Sequence, residues 1–337
     1  MDSLTHIVLG AAIGELVAGG RLGKKALLIG AAANSLPDID FVAAFWLDTS
    51  RDVCFHRGIT HSILFVIVMA LLLALPARRF WRTTNMSFGR WAIFFGTELA
   101  VHIFIDAFNN YGTGWFEPFS HYRVCLNVLF VVDPFYSVWL GIATIGLVFL
   151  PRGHRSRSRW ALFGLLMSTG YLLYSLGNKW QVDRAVERGL RAEALGGRRY
   201  FTTPTPFNCW LWYVVAEDST GYHTGYRSVF DPPGRPLSLM AQPKNASTLQ
   251  AFQGRKDIAY LLRFSRGDYT VGRYQGKLTF NVLRFGEMQG WRDPRAPFVF
   301  HYFLEAPEDN RFVVQRGRWR NWNAESIKAY VRRIEGK

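Results

Sequence analysis

The sequence predicts an α-helical multi-span membrane domain followed by a strand-rich (α+β) soluble domain. Three observations carry this. Charge is uneven: residues 1–180 hold 15 basic and 10 acidic side chains, and 181–337 hold the other 25 and 15 of the chain's 40 and 25. Ile59–Pro76, Trp91–Phe108, Val128–Leu150 and Trp160–Leu176 are apolar over close to the roughly 20 residues that a bilayer requires. The second half instead alternates aromatic and β-branched residues with polar ones, at the period of two expected of half-buried strands. Domains are therefore expected at 1–180 and 181–337.

Two weaker apolar stretches, Leu4–Ala18 and Ala26–Leu36, come first, the second too short to span alone. A large soluble all-α core is the bland alternative, but the four long segments exceed what one core holds. No basic residue precedes the first apolar run, so a cleaved signal peptide is not expected. Basic residues gather at Arg21–Lys25, at Arg78, Arg79, Arg82 and Arg90, and at Arg152, Arg155, Arg157 and Arg159. The connections 34–58 and 109–127 carry only Arg51, Arg57 and Arg123. By the positive-inside rule the three basic loops are cytoplasmic, which places 181–337 on the extracytoplasmic side of a bacterial inner membrane.

In the second half, the amphipathic stretch Gln181–Leu195 leads out of the last span. Strands are expected at Phe207–Val215, Tyr222–Phe230, Ile258–Phe264, Tyr269–Phe285, Phe298–Leu304 and Arg311–Trp319, with a closing helix near Glu325–Ile334. The basic surface suits anionic lipid headgroups or is a plain solvated face; no motif supports a nucleic-acid partner. Cys54, Cys125 and Cys209 are odd in number and far apart, which excludes a disulfide framework and a CxxC zinc site. The composition also excludes a disordered chain and a collagen.

Most of the eight histidines lie in the charge-poor half. His6 sits near the start of the first helix. Asp38 and Asp40 follow an apolar run in Pro-Asp-Ile-Asp. His56 and His61 flank Arg57 in His-Arg-Gly-Ile-Thr-His-Ser at the mouth of a span. Glu98, His102 and Asp106 recur at i, i+4 and i+8, lining one helix face inside another span. Ionisable groups at membrane depth cost at least a few kcal/mol each, so such a stripe faces a partner or a cavity. Asp133 opens the next span. On the topology above, all these groups fall on the same, outer side.

Imidazole and carboxylate ligands without thiolate suit Zn²⁺ foremost, or Mn²⁺ or Fe²⁺, in one or two positions. The candidate ligands are His6, Asp38, Asp40, His56, His61, His102 and Asp106. Glu98 is expected to orient His102 or to accept a proton. Arg57 is a candidate phosphate clamp or a headgroup contact. Asp133 is either a site residue or a plain helix cap. Tyr111, His121 and Arg123 are weaker candidates; His154, His223 and His301 read as solvated or core histidines.

With those residues in place, the chain resembles the membrane-bound metal-dependent hydrolase family (YdjM/YfhP-like). MDSLTH, PDID, HRGITHS, HIFID with NNYGT, and VDPF match its pattern in order over roughly residues 1–180. The resemblance implies an integral membrane protein, a divalent metal and a hydrolase activity. A more distant likeness is to the zinc-dependent phospholipase C and P1 nuclease group, whose ligand order His6, Asp38 or Asp40, His56 or His61, and His102 with Asp106 follow. That likeness implies phosphoester hydrolysis. No second HxxxE/D-type pair follows His121, so a three-metal site is not expected.

The expected activity is thus metal-dependent hydrolysis of a phosphoester or related bond at the outer membrane–water interface, with a lipid or lipid-linked substrate. Two alternatives stay open: a non-enzymatic membrane protein with a structural or sensory metal, and an ion- or proton-coupled transporter using Glu98, His102 and Asp106.

Overall fold

The computed structural model describes residues 1–310 and 322–337. Contacts divide the chain into two compact units: Met1–Ala43, Phe55–Ser175 and Pro206–Asn208 in one, Ala44–Cys54, Leu176–Thr205 and Cys209–Lys337 in the other. The architecture is the expected one, apolar helices followed by a strand-rich part with two antiparallel sheets.

Helix α1 (Ser3–Leu22) starts where Asp2 accepts a hydrogen bond from the Thr5 amide. Helix α2 (Lys25–Asn34) runs into a 3₁₀ segment, Leu36–Phe45, bent from it by 51°. Next come α3 (Thr49–Phe55), α4 (Ile63–Phe80, capped by Ser62), α5 (Phe88–Asp106, capped by Ser87), α6 (Pro134–Phe149) and α7 (Arg157–Ala192). Among the described residues, α1, α4, α5 and α7 are long and apolar enough to cross a membrane; α2 with its 3₁₀ continuation forms a bent fifth candidate.

These helices differ from the expected spans in three ways. The weak Leu4–Ala18 stretch is a full-length helix. The span expected over Val128–Leu150 shrinks to a 16-residue helix, because Asp133 and Pro134 start it late. Residues 128 and 129 instead donate their amides to the Phe108 carbonyl. Gln181–Leu195 is not a separate stretch either: α7 continues unbroken to Ala192 and buries Val182, Val186 and Leu190 along one stripe.

Glycine sets the spacing of α1 and α2. A Cβ on Gly10 would stand 2.5 Å from the Asn34 Cβ, and one on Gly30 would stand 2.9 Å from the Gly14 Cα and 2.8 Å from Glu98 Oε1. Small residues at a helix crossing let backbones approach and gain dispersion contacts that lipid cannot supply. This close crossing brings α2, and Asn34 at its end, against α5.

In the strand-rich part, β1 (Tyr200–Pro204), β2 (Leu211–Glu217), β3 (Gly221–Ser228) and β4 (Leu239–Pro243) form one antiparallel sheet in that order. After α8 (Lys256–Ser265), β5 (Tyr269–Tyr274), β6 (Lys277–Val282) and β7 (His301–Phe303) form the second, and α9 (Ala324–Ile334) closes the chain. Ile258–Phe264, expected as a strand, is therefore helical: Ile258, Leu261, Phe264 and Ser265 are buried at helical spacing, not at alternate positions. Tyr269–Phe285 breaks into a hairpin whose two-residue turn, Gln275-Gly276, has φ of 52° and 76°, both positive as a type I′ turn requires. Phe207, at φ 63°, delays β2 to Leu211. Strands β1 and β4 were not expected, and the expected strand Arg311–Trp319 lies outside the described residues.

Glu287 is buried against the first sheet. Its carboxylate accepts from the Tyr213 hydroxyl at 3.2 Å and the Tyr226 hydroxyl at 2.8 Å. Burial pushes its carboxyl above the usual carboxylate range despite those donors. The folded state therefore holds this proton more tightly than the unfolded chain. Its stabilisation is complete below the ordinary glutamate pKa and is lost as pH rises through the raised one. The thermal midpoint of the full chain is expected to fall across that window, and Glu287→Gln to flatten the slope. Tryptophan fluorescence melts at a series of pH values check this; an unchanged slope in the variant contradicts it.

Candidate metal centre

Four residues from three chain segments converge on one point. Asp38 comes from the 3₁₀ turn after α2, His61 from the turn before α4, and His102 and Asp106 from the last two turns of α5. One ligand atom from each lies within 4.8 Å of all the others. The His61 and His102 Nε2 atoms face each other at 3.1 Å. Asp38 Oδ1 stands 3.5 Å and 3.6 Å from them, and Asp106 Oδ2 3.4 Å and 3.7 Å. The side chains of His61, His102 and Asp106 are fully buried, whereas Asp38 keeps 14% exposure and marks the open side.

Hydrogen placement follows from the surroundings of His61. The Thr60 hydroxyl donates its single hydrogen to Asp40 Oδ2 at 2.8 Å, so at 3.0 Å from His61 Nδ1 it accepts. Nδ1 thus carries the hydrogen, and His61 Nε2 presents a bare lone pair. That lone pair, two carboxylate oxygens and the His102 Nε2 then share one small space, and Asp106 Oδ2 has no hydrogen-bond donor of its own. With His61 Nε2 bare, the 3.1 Å bond between the two rings is donated by the His102 Nε2 hydrogen, and Arg57 Nε stands 3.2 Å from Asp106 Oδ2; two imidazoles with two carboxylates are also a donor set that zinc, manganese and iron accept. The residues fit a divalent ion.

The remaining candidates surround this group. Asp40 is a support and not a member: it holds His56 Nδ1 at 2.8 Å, the Arg57 amide at 2.8 Å and Thr60. His56 is 34% exposed and bonds to Asp40, its ring centroid 6.1 Å from that of His61. His6 stacks on His102 with ring centroids 3.8 Å apart, and its Nε2 lies 3.2 Å from Asp106 Oδ1. The Met1 amine meets the same oxygen.

Three expectations need correction. Arg57, at φ 60°, turns inward: its guanidinium sits 3.2 Å from Asp106 Oδ2 and donates to Asn109 Oδ1 and the Met1 carbonyl. It is buried, so its fork is not presented to a phosphate from outside. Glu98 does not orient His102; its Oε2 accepts from Asn34 at 3.2 Å. Asp133 is a helix cap, accepting from the Phe135 and Tyr136 amides and the Tyr171 hydroxyl. Of the weaker candidates, His121 pairs with Glu117, and Tyr111 lies 5.3 Å from the Arg57 guanidinium. Sequence reasoning missed Asn34, Thr60 and Asn109. The only signal for Asn34 was an amide inside an otherwise apolar helix.

Fold and site together define a helical membrane protein with a largely buried carboxylate–imidazole group that could hold a metal ion. The family described as YdjM inner membrane protein matches residues 1–182, and this chain belongs to it. YfhP of Bacillus subtilis (strain 168), named as uncharacterized, is 28% identical over 166 residues, 44% of this chain and 50% of its own length. The chain thus spans about half the length of that relative. The inner membrane protein YbcI of Escherichia coli (strain K12) is 29% identical over 122 residues, 36% of this chain and 69% of its own. No solved structure matches.

Proposed function

We propose that this protein is a membrane metal-dependent hydrolase that cleaves a phosphoester or related bond at the outer membrane–water interface. The observation that carries this reading is the convergence of one ligand atom each from Asp38, His61, His102 and Asp106 to within 4.8 Å of one another. In it, residues 1–180 form the catalytic domain, and 181–337 an extracytoplasmic one. The substrate is a lipid or lipid-linked ester, because the open side of the group lies at the end of the apolar helices.

A divalent ion there, zinc foremost or else manganese or iron, supplies Lewis acidity and brings water into the nucleophilic range near neutral pH. The chain's own residues do the rest. Asp40 and Thr60 fix the His61 ring so that Nε2 faces inward. Arg57 holds positive charge beside Asp106 and fixes that carboxylate from behind. His56 is the group we assign to proton transfer: its Nδ1–H donates to Asp40, which leaves Nε2 bare on a half-buried ring that solvent reaches. Asp38, the one exposed ligand, faces the entrance.

The ligand count favours a second reading. Four protein ligands close a tetrahedral shell, the hallmark of a structural or sensory zinc, whereas hydrolytic sites keep one position open. Elemental analysis of detergent-purified wild type and His102→Ala/Asp106→Ala decides, with both assayed on a phosphodiester and a phospholipid panel. One or two bound ions per chain, with metal and turnover both lost in the double variant, is the expected result. Metal without turnover on any ester supports the structural or sensory reading. No metal in wild type overturns both.

A further inference from the structure

The strand-rich part holds a cavity of about 330 Å³, none of whose lining residues belongs to the metal group. Small-molecule sites usually measure about 300–1,000 Å³. We propose that this cavity binds an acidic sugar, a hexose unit that carries a carboxylate. Its floor is one face of the second sheet, and the two faces of that sheet differ in kind. On one, Val271, Phe280 and Val282 pack with Leu261 and Phe264 of α8 in an apolar cluster. The opposite face carries Thr270, Gly272 and Tyr274 on β5 with Thr279 and Asn281 on β6, and all five line the cavity.

Thr270, Thr279 and Asn281 are buried, yet the hydrogen bonds among them are long. Asn281 Nδ2 reaches Thr270 Oγ1 at 3.4 Å, and the Thr279 hydroxyl reaches the Gly272 carbonyl at 3.3 Å. A primary amide has two hydrogens and an accepting oxygen. Among the described residues, most of that capacity of Asn281 is left to whatever fills the cavity. Gly272 keeps the floor open. Its φ is not positive, so the backbone does not demand glycine, and a Cβ there would meet only Asn281 Nδ2, at 3.3 Å. A glycine inside a strand weakens it and marks a close approach by another group.

The walls are β4 and the segment Pro294–Phe298. Strand β4 is tied to β5 where the Val271 amide donates to the Lys244 carbonyl at 3.1 Å and Asn245 Nδ2 to the Val271 carbonyl at 2.8 Å. Pro243, Pro294 and Pro297 stiffen these walls and carry no N–H, which disfavours an added peptide strand. Tyr274 and Phe298 offer ring surface to the C–H groups of a sugar. Arg273 and Arg295 are exposed, and no lining residue is acidic, so the ligand's charge is negative. Arg273 already donates to the Gly276 carbonyl, which makes Arg295 the main partner of a carboxylate. A sugar hydroxyl both donates and accepts, as the amide and threonine floor requires, whereas phosphate chiefly accepts.

The test is isothermal titration of the full chain in detergent with glucuronate, glucose and inorganic phosphate at up to millimolar concentration. One glucuronate per chain is expected, with glucose bound at least about 10-fold more weakly, the usual effect of losing a bond to a charged group. Gly272→Val is expected to abolish sugar binding, because its side chain fills the floor while valine suits a strand. Arg295→Ala is expected to leave glucose binding unchanged and to remove the preference for glucuronate. Thermal midpoints show whether each variant is folded. Three results overturn the proposal: no saturable sugar binding by the wild type, phosphate bound as tightly as glucuronate, or wild-type sugar binding by a folded Gly272→Val. If Gly272→Val does not fold, an undiminished preference for glucuronate in Arg295→Ala overturns it instead. Sugar binding is expected to survive in His102→Ala/Asp106→Ala, so this site and the hydrolase reading fail separately.

Discussion

Gly30→Leu is expected to abolish metal retention and to leave the protein aggregated or loosely assembled in detergent, the largest effect of any single substitution proposed. The position has no room. A Cβ there stands 2.9 Å from the Gly14 Cα on α1 and 2.8 Å from Glu98 Oε1 on α5, and it also collides with the Gly10 carbonyl. Two of those three neighbours are backbone atoms, which cannot rotate aside, so α2 must withdraw as a whole. Overpacking a tight contact typically costs about 1–3 kcal/mol, and more where backbone must shift. The withdrawal also removes Asn34 from His6 and Asp38 from His61 and His102. Size-exclusion profile and bound metal per chain measure the effect. Gly20→Leu is the control, since nothing lies within 4 Å of a Cβ on Gly20. If Gly30→Leu elutes and binds metal as wild type does, the tight crossing is not what builds the site.

Glu15→Leu is expected to destabilise the helical unit by about 3–5 kcal/mol, the cost of leaving one partner of a buried ion pair alone. Glu15 on α1 and Arg157 at the start of α7 are both 4% exposed. They form a two-pronged pair, Nε to Oε1 at 2.8 Å and Nη2 to Oε2 at 2.6 Å. Arg157 Nη1 also donates to the carbonyls of Leu147 and Leu150, which closes the end of α6. Removing Glu15 leaves the guanidinium charged and facing apolar helices. Removing both charges together, Glu15→Leu/Arg157→Leu, is expected to recover most of the loss, because the attraction of a buried pair largely repays its own desolvation and little more. Thermal midpoints of the two variants in one detergent check this. A double variant less stable than Glu15→Leu would show that the bonds from Arg157 to α6, and not its pairing with Glu15, hold the helices together.

Much of the site was legible in the sequence because helical periodicity is a local property. His102 and Asp106 share a face with Glu98 whatever surrounds the helix, and an apolar helix does not carry such a stripe without a use for it. That His6, Asp38, His61 and Asp106 lie at one end of the helices was expected from their places along alternating spans. What the side chains do with one another was not legible. Glu98 lies on the same stripe as His102 yet serves Asn34, since α2 and not the α5 ridge supplies its partner. Arg57 sits between two histidines in sequence, but its left-handed backbone turns it toward Asp106. Arg157 counted as a loop charge and is a buried one. In the strand-rich part, Ile258–Phe264 carries enough apolar residues to read as a strand, and only packing on one face reveals the helical spacing.

The sequence by itself determined the class of the fold, the membrane-spanning character of the first half, and which residue types meet at one end of the helices. These depend on composition and period, which act within a single element. Only the tertiary structure decided which four residues converge within 4.8 Å, which of their neighbours hold them, and which nitrogens are left bare. Those outcomes depend on contacts such as Asn34 with Glu98, 64 residues apart in the chain. Hydrogen bonds are directional and short, so a site of this kind is specified by how closely two glycine-faced helices approach, a distance that no local pattern encodes.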